Sequence, residues 1–280
     1  MLVGVPYTPV TGPRLLARPG PDAQTYQRAL IAELRAAVEQ RGYSSLHVNF
    51  LAPASAPLFA HDPWLPRADW QFHWQNPGYR DFKDFLDQFR AKKRKNILQE
   101  RARVHESGVT FRISNGHELD SALIKHLHGF YLNTFEEKGN TPALSEDFFV
   151  RIARSLPTQF VAIMAFRAGQ MIAAALLFRS KDQLFGRHWG SREELPGLHF
   201  ETCYYQGIEY AIREQIRRFE PGAQGEHKIA RGFLPVRTRS AHYISHPGFR
   251  SAIRNAIDEE WRRHRALDEI YAEHNPFRKD

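Results

Sequence analysis

Between Gln159 and Ser180 the chain reads QFVAIMAFRAGQMIAAALLFRS, two apolar runs joined through Ala168, Gly169 and Gln170. The small turn residues make the pair a hairpin, and DQLFGRHWGS, from Asp182, follows as a third strand. Ahead of them VTFRIS reads as a strand, with helices near residues 118–138 and 145–155. Behind them Phe200, Cys203, Tyr204, Gly207, Ile208, Ala211, Ile212, Gln215, Ile216 and Phe219 keep one helical period, so a helix is expected over 200–219. Cys203 and Tyr204 belong to its apolar stripe and read as core. Further strands come next, and an amphipathic helix runs from Pro247 toward His274.

The first half is organised differently. A short strand, LVGV, is broken by Pro and Gly, and Asp22 or Thr25 can cap a helix that runs to about Arg41 and ends at Gly42. In SSLHVNFL and DWQFHWQN, apolar residues alternate with polar ones: Trp70, Phe72 and Trp74 against Gln71, His73 and Gln75. A solvent face usually carries Lys, Glu or Thr, so a face of His, Asn and Gln, His73 included, is a candidate ligand surface. From Tyr79 a long helix is expected, with Phe82, Phe85, Leu86 and Phe89 on one stripe. If the helix is continuous, Lys93, Asn96 and Glu100 fall on that stripe and turn it polar midway. Lys92, Arg94 and Lys95 fit a solvated face, whereas Lys93 and Asn96 are expected to face a cleft.

With 280 residues, 42% hydrophobic and 25% charged, the chain can fill two domains or one large one. The apolar runs 160–166 and 171–178 are too short to span a bilayer and no leader-like start is present, so a cytoplasmic protein is expected. The single cysteine, Cys203, agrees with a reducing compartment. A net charge of +8 favours partners that carry phosphates or other acidic groups. The fourteen histidines lack ligand spacing: His126 and His128 face apart on a helix, and an extended segment separates His242 from His246, so no metal is expected.

One segment gathers chemistry. FEPGAQGEHKIARGFLP, residues 219–235, holds Glu226, His227, Lys228 and Arg231 among three glycines and two prolines. Its alternation reads as extended chain, which would put Glu226 and Lys228 on one face and His227 and Arg231 on the other with Ile229 and Phe233.

The order strand, two helices, three strands, central helix, strands, closing helix matches the GNAT acyltransferase fold, a mixed sheet flanked by helices that splays open for an acyl donor and an acceptor amine. QFHWQNPGY, KKRKNI, RHWGSREELPGLHFETCYYQGIEYAI and FEPGAQGEHKIARGFLP resemble the bacterial FemAB-like family, described as involved in peptidoglycan biosynthesis or recognition. The resemblance covers nearly the whole chain. It implies an α/β (α+β) architecture of tandem GNAT-like modules: residues 1–104 a partial first module ending in the basic helix, and residues 105–280 a C-terminal GNAT-like acyltransferase module. Family members usually have a further upstream segment, so the first module is expected to be incomplete, with an edge strand exposed.

The resemblance further implies an N-acyltransferase without a tightly bound cofactor, its donor either acyl-CoA or aminoacyl-tRNA and its acceptor an amine, such as that of a cell-wall precursor. Such transfer needs a base, donors for the tetrahedral oxyanion and cations for a phosphate-rich substrate. Glu226 is the candidate base, with His227 the alternative. Lys228 best fits the Lys of Fem-like sequences, and with Arg231 it forms an anion clamp. Arg187, with Trp189 on its strand face and His188 on the other, and His199 and Glu201 near a helix start, complete the substrate-binding set with Lys93, Asn96 and His73. Arg187 and Gly190 fit the pyrophosphate loop of acetyltransferases loosely, but Arg192 stands where a small residue is needed. Aminoacyl-tRNA needs no such loop, and Lys92 to Lys95 could meet its backbone. Two other readings stay open: a noncatalytic module recognising peptidoglycan fragments or nucleotide-linked sugars, and an RNA-binding protein. The last ranks lowest, because no motif of stacked aromatic and basic residues supports it.

Overall fold

The computed structural model describes residues 1–223 and 225–278. In chain order the first half contains β1 (Leu2–Val3), α1 (Ala23–Gln40), β2 (Ser45–Val48), β3 (Leu65–Gln75), α2 (Phe82–Asp87) and α3 (Ala91–Glu106). Then come β4 (Val109–Asn115), α4 (Ser121–Glu137), α5 (Glu146–Ser155), β5 (Phe160–Arg167), β6 (Gln170–Arg179) and β7 (Gln183–Ser191). The last part has α6 (Leu198–Phe200), a π segment (Glu201–Tyr205), α7 (Gln206–Arg213), β8 (Arg218–Glu220), a 3₁₀ turn (Glu226–Arg231), β9 (Leu234–Ile244) and α8 (Pro247–Glu273). No helix among the described residues is long and apolar enough to cross a membrane.

The chain forms two compact units, one of residues 1–71 and 235–274, the other of residues 72–234 and 275–280. This division differs from the expected break after residue 104, for reasons visible in the packing. Val104 of α3 is fully buried with Val109, Ala165, Ile172 and Leu198, so α3 belongs with the second unit. Ala241 and Tyr243 of β9 pack with Val38, Leu46, Val48 and Trp64, so the end of the chain returns to the first.

In the first unit β1 lies parallel to β2 and β2 antiparallel to β9. In the second, β4, β5, β6 and β7 run antiparallel in sequence, β7 lies parallel to β8, and β8 pairs antiparallel with the end of β3. The apolar runs are explained by this arrangement. Phe160, Ala162, Met164, Ala174 and Leu176 pack under α4 and α5, while Ala165 and Ala173 pack with α3 on the other side, so β5 and β6 are apolar on both faces. Ala168 and Gly169, both at positive φ, form the two-residue turn between them.

Two expected helices are shorter than their periodicity suggests. The helix from Tyr79 breaks between Asp87 and Ala91, where Phe89 bridges to Phe277 and the backbone N–H of Arg90 donates to the carbonyl of Pro276 at 3.1 Å. The central helix stops at Arg213: Gln215 takes a left-handed φ of 54°, the N–H of Ile216 closes onto the carbonyl of Ala211, and Phe219 enters β8. Its beginning is also irregular, since Glu201–Tyr205 is wound as a π segment, a local widening frequent at functional sites.

Candidate active site

The sheet of the second unit opens at one place. β7 and β8 pair over only three positions, Gln183↔Arg218, Leu184↔Phe219 and Phe185↔Glu220. β7 then continues to Ser191 while the other chain leaves through Pro221 and Gly222. At the parting β7 carries a bulge: Leu177 pairs with Gly186 and Leu176 with His188, leaving Arg187 as the extra residue. A bulge re-aims side chains, and Arg187, His188 and Trp189 all line one cavity of about 370 Å³. The strict alternation expected from sequence, with His188 facing away, therefore fails here. α4 closes this cavity with Tyr131, Phe135 and Lys138, and His199 joins it from α6. The close approach of α4 requires Gly190, because a β-carbon there would overlap the carbonyl oxygen of Phe130.

The segment 225–232 is a 3₁₀ turn where extended chain was expected. Gly225 (φ 113°) and Gly232 (φ 88°) bound it in conformations that suit glycine, and the N–H of Lys228 donates to the carbonyl of Gly225 at 3.1 Å. Coiling regroups the side chains. Lys228, Ile229 and Arg231 turn inward, and Glu226 and His227 lie exposed, so the pairing of Glu226 with Lys228 on one face is corrected. Lys228 is 2% exposed. Its Nζ donates to the carbonyl of Gly222 at 2.8 Å, and burial pushes its pKa down to about 8.

Arg231 braces the turn. Its Nη1 donates to the carbonyl of His227 at 2.8 Å, its Nη2 to Oε1 of Glu100 at 2.7 Å, and its guanidinium lies 3.4 Å from the ring centre of Phe200. Glu100 also accepts the hydroxyl of Tyr205 at 2.6 Å. The π winding lets neighbouring residues serve both sides, since Tyr204 Oη lies 3.0 Å from Nε2 of His227. Partial burial, Arg231 and Lys228 hold His227 below its ordinary pKa, whereas burial raises the phenol of Tyr204.

Glu220 is a buried acid at the parting that the sequence reading does not single out. Placed at the parting of β7 and β8 and 4% exposed, it is raised by burial although Arg218 and Arg187 pull the other way. Its Oε1 lies 3.1 Å from Nε of Arg218, and its Oε2 lies 3.9 Å from Nε2 of His73. His73 is itself buried and held near pKa 4 by burial, Arg218 and Lys228. The available signal was the acid directly before Pro-Gly; it went unread because Phe219 was assigned to a helix.

Three expected binding residues stand elsewhere. Glu201 is fully buried, with Oε1 2.9 Å from Nη2 of Arg101 and 2.8 Å from Nε2 of Gln206. That is an internal ion pair, and Glu201 has no access to a ligand. The helix break removes the stripe that was to carry Lys93 and Asn96 into a cleft: Asn96 is exposed and Lys93 half-buried, while Ile97 and Val104 form the buried face of α3. His199 does line the cavity, its pKa held near 4 by burial and then by His227, Lys228, Arg231 and Lys138.

The loop that would hold a coenzyme A pyrophosphate runs between β7 and α6. It contains Glu193, ion-paired with Arg167, a second acid at 194, and Pro196, which has no N–H to offer. Arg192 lies over the ring of Phe130 at 5.2 Å. Two carboxylates and a missing donor make a poor anion cradle.

The first unit holds a larger, mainly apolar cavity of about 950 Å³. Its polar floor is already paired, His47 with His242 at 2.9 Å and Arg67 with Glu260 at 2.6 Å, so it lacks the reactive convergence of the splay. Among the described residues no three His, Cys, Asp or Glu side chains group as metal ligands.

Comparison with known proteins agrees with the fold. The FemAB-like family, described as peptidoglycan biosynthesis/recognition, matches residues 1–279. Among solved structures the chain is similar to L-PGS from Bacillus licheniformis, with 13% identity and a TM-score of 0.58 over 84% of this chain and 79% of that one. It is also similar to FemX, with 9% identity and a TM-score of 0.55 over 90% of this chain and 85% of that one. At such identities the likeness is one of fold. No curated protein sequence matches the chain.

Proposed function

The chain belongs to the FemAB-like family of peptidoglycan biosynthesis/recognition, and on that premise we propose that it is a transferase that moves an aminoacyl group to an amine of a peptidoglycan precursor. The observation that carries the reading is Lys228: a buried amine with its pKa brought to about 8, held by the carbonyl of Gly222 where the GNAT-like sheet parts.

Lys228, largely protonated near neutral pH, supplies a positive charge to the oxyanion formed when the acceptor amine attacks the donor carbonyl. Its depressed pKa leaves His227 neutral and able to take the proton that the attacking amine gives up and to return it to the ribose oxygen of the tRNA as the ester C–O bond breaks, with the hydroxyl of Tyr204 orienting its ring. Glu226, exposed at the start of the turn, is the weaker candidate for that proton. Glu220 pairs with Arg218 behind the site.

The acidic, proline-containing loop between β7 and α6 argues against acyl-CoA as donor. Aminoacyl-tRNA is favoured by the absence of any need for that loop and by the net charge of +8. Thermal melting of the purified chain tests this, since a ligand that binds only the folded state raises the melting temperature. Acetyl-CoA is expected to produce no shift, and aminoacyl-tRNA together with a muropeptide precursor to raise it. A dose-dependent shift with acetyl-CoA alone would sink the tRNA assignment. Stabilisation by muropeptide without any transfer would favour the noncatalytic recognition reading.

A further inference from the structure

The bulged end of β7 leaves a guanidinium without an ion-pair partner of its own among the described residues. Arg187 donates from Nη1 to the carbonyl of Gly186, its own neighbour, at 3.2 Å, and its Nη2 is buried with no hydrogen-bond partner among the described residues. The nearest acid, Glu220, is already met by Arg218 at 3.1 Å. Lys138 lines the same cavity, and among the described residues that line it none is Asp or Glu. Positive charge is therefore in surplus around a partly dehydrated space, an arrangement that is costly unless an anion completes it. The walls differ in character: Tyr131, Phe135 and Trp189 offer aromatic surface beside the cations.

We propose that the cavity between β7 and α4 is a subsite for an anionic oxygen group, carboxylate or phosphate, carried on a substrate whose adjoining stem packs against Tyr131, Phe135 and Trp189. Arg187 and Lys138 meet the anion. The inference deepens the transferase reading by giving one substrate a charged end, while its binding test stands apart from turnover.

His199 is the reporter, because it lines the same cavity, where burial first and then nearby positive groups, Lys138 among them, hold its pKa down. The full chain is titrated at pH 7 with inorganic phosphate and, separately, with N-acetylglycine, following the His199 ring resonance by NMR, assigned by its loss in His199→Gln. At least one probe is expected to shift that resonance saturably, and the one that does identifies the group as phosphate or carboxylate. In Arg187→Gln the affinity is expected to fall about tenfold or more, the usual worth of a charge-assisted hydrogen bond. Lys138→Gln, at an exposed helix end, is expected to weaken it by about threefold without touching the fold. No saturable response to either probe, or unchanged affinity in both variants, overturns the subsite. Binding by a protein that transfers nothing would leave the subsite standing and overturn the transferase reading instead.

Discussion

Lys228→Met is expected to abolish transfer while leaving the protein as stable as before, or more so. Removing one preorganised donor to an oxyanion typically costs about 10²–10³ in rate. The stability side follows from the amine's pKa, about 8 in the folded chain against an ordinary 10.5. Below pH 8 both states hold the proton, and folding carries a penalty on the order of 3 kcal/mol. Between pH 8 and 10.5 the unfolded chain keeps the proton and the folded chain has lost it, so stability rises with pH and the penalty fades. Met removes the charge and keeps the length. Chemical denaturation across pH 7 to 10.5 should therefore show a rising contribution in the parent chain that disappears in the variant. A variant that melts far lower at pH 7, or one that still transfers at full rate, would mean that Lys228 is a structural lysine.

The second large effect concerns Arg101, whose guanidinium meets Glu201 at 2.9 Å and Glu209 at 2.7 Å. Burial works against its charge, yet the two carboxylates hold it above its ordinary pKa. Arg101→Met would strand the carboxylate of Glu201, which is 0% exposed. Breaking such a pair from one side typically costs about 3–5 kcal/mol, and urea denaturation is expected to show a loss of that size. Adding Glu201→Gln to the same chain should restore much of it, because the stranded charge is gone. If Glu201→Gln instead removed substrate binding with stability intact, Glu201 would be a ligand residue after all.

The sequence carried the outline well where the signal was local. The turn at Ala168 and Gly169 and the apolar runs on either side of it give the central hairpin, and the order of elements from β4 to β7 follows from periods of two and 3.6. What it hid depends on distant residues or on single backbone angles. Nothing near Asp87 says that residues 276–278 will return to break the helix. Gln215 ends the central helix from a left-handed conformation that a glutamine does not advertise, and with that the meaning of Phe219 and Glu220 changed. Gly225 and Gly232 permit either an extended segment or a tight turn, and the choice of turn parts two side chains that an extended segment would keep on one face, leaving Glu226 exposed and Lys228 buried. The bulge at Arg187 likewise defeats alternation. Lys228 stands out in the sequence through its glycine-punctuated segment and that segment's resemblance to Fem-like sequences, whereas Glu220 needs the strand pairing before it can be recognised.

In the proposed function this splay transfers an aminoacyl group to an amine through Lys228. Single-turnover transfer of a labelled amino acid from aminoacyl-tRNA to a muropeptide precursor tests it most directly, run beside Lys228→Met and beside labelled acetyl-CoA. Label is expected on the precursor's amine with the parent chain and the tRNA donor only. Equal labelling by Lys228→Met, or labelling from acetyl-CoA with none from aminoacyl-tRNA, would contradict it.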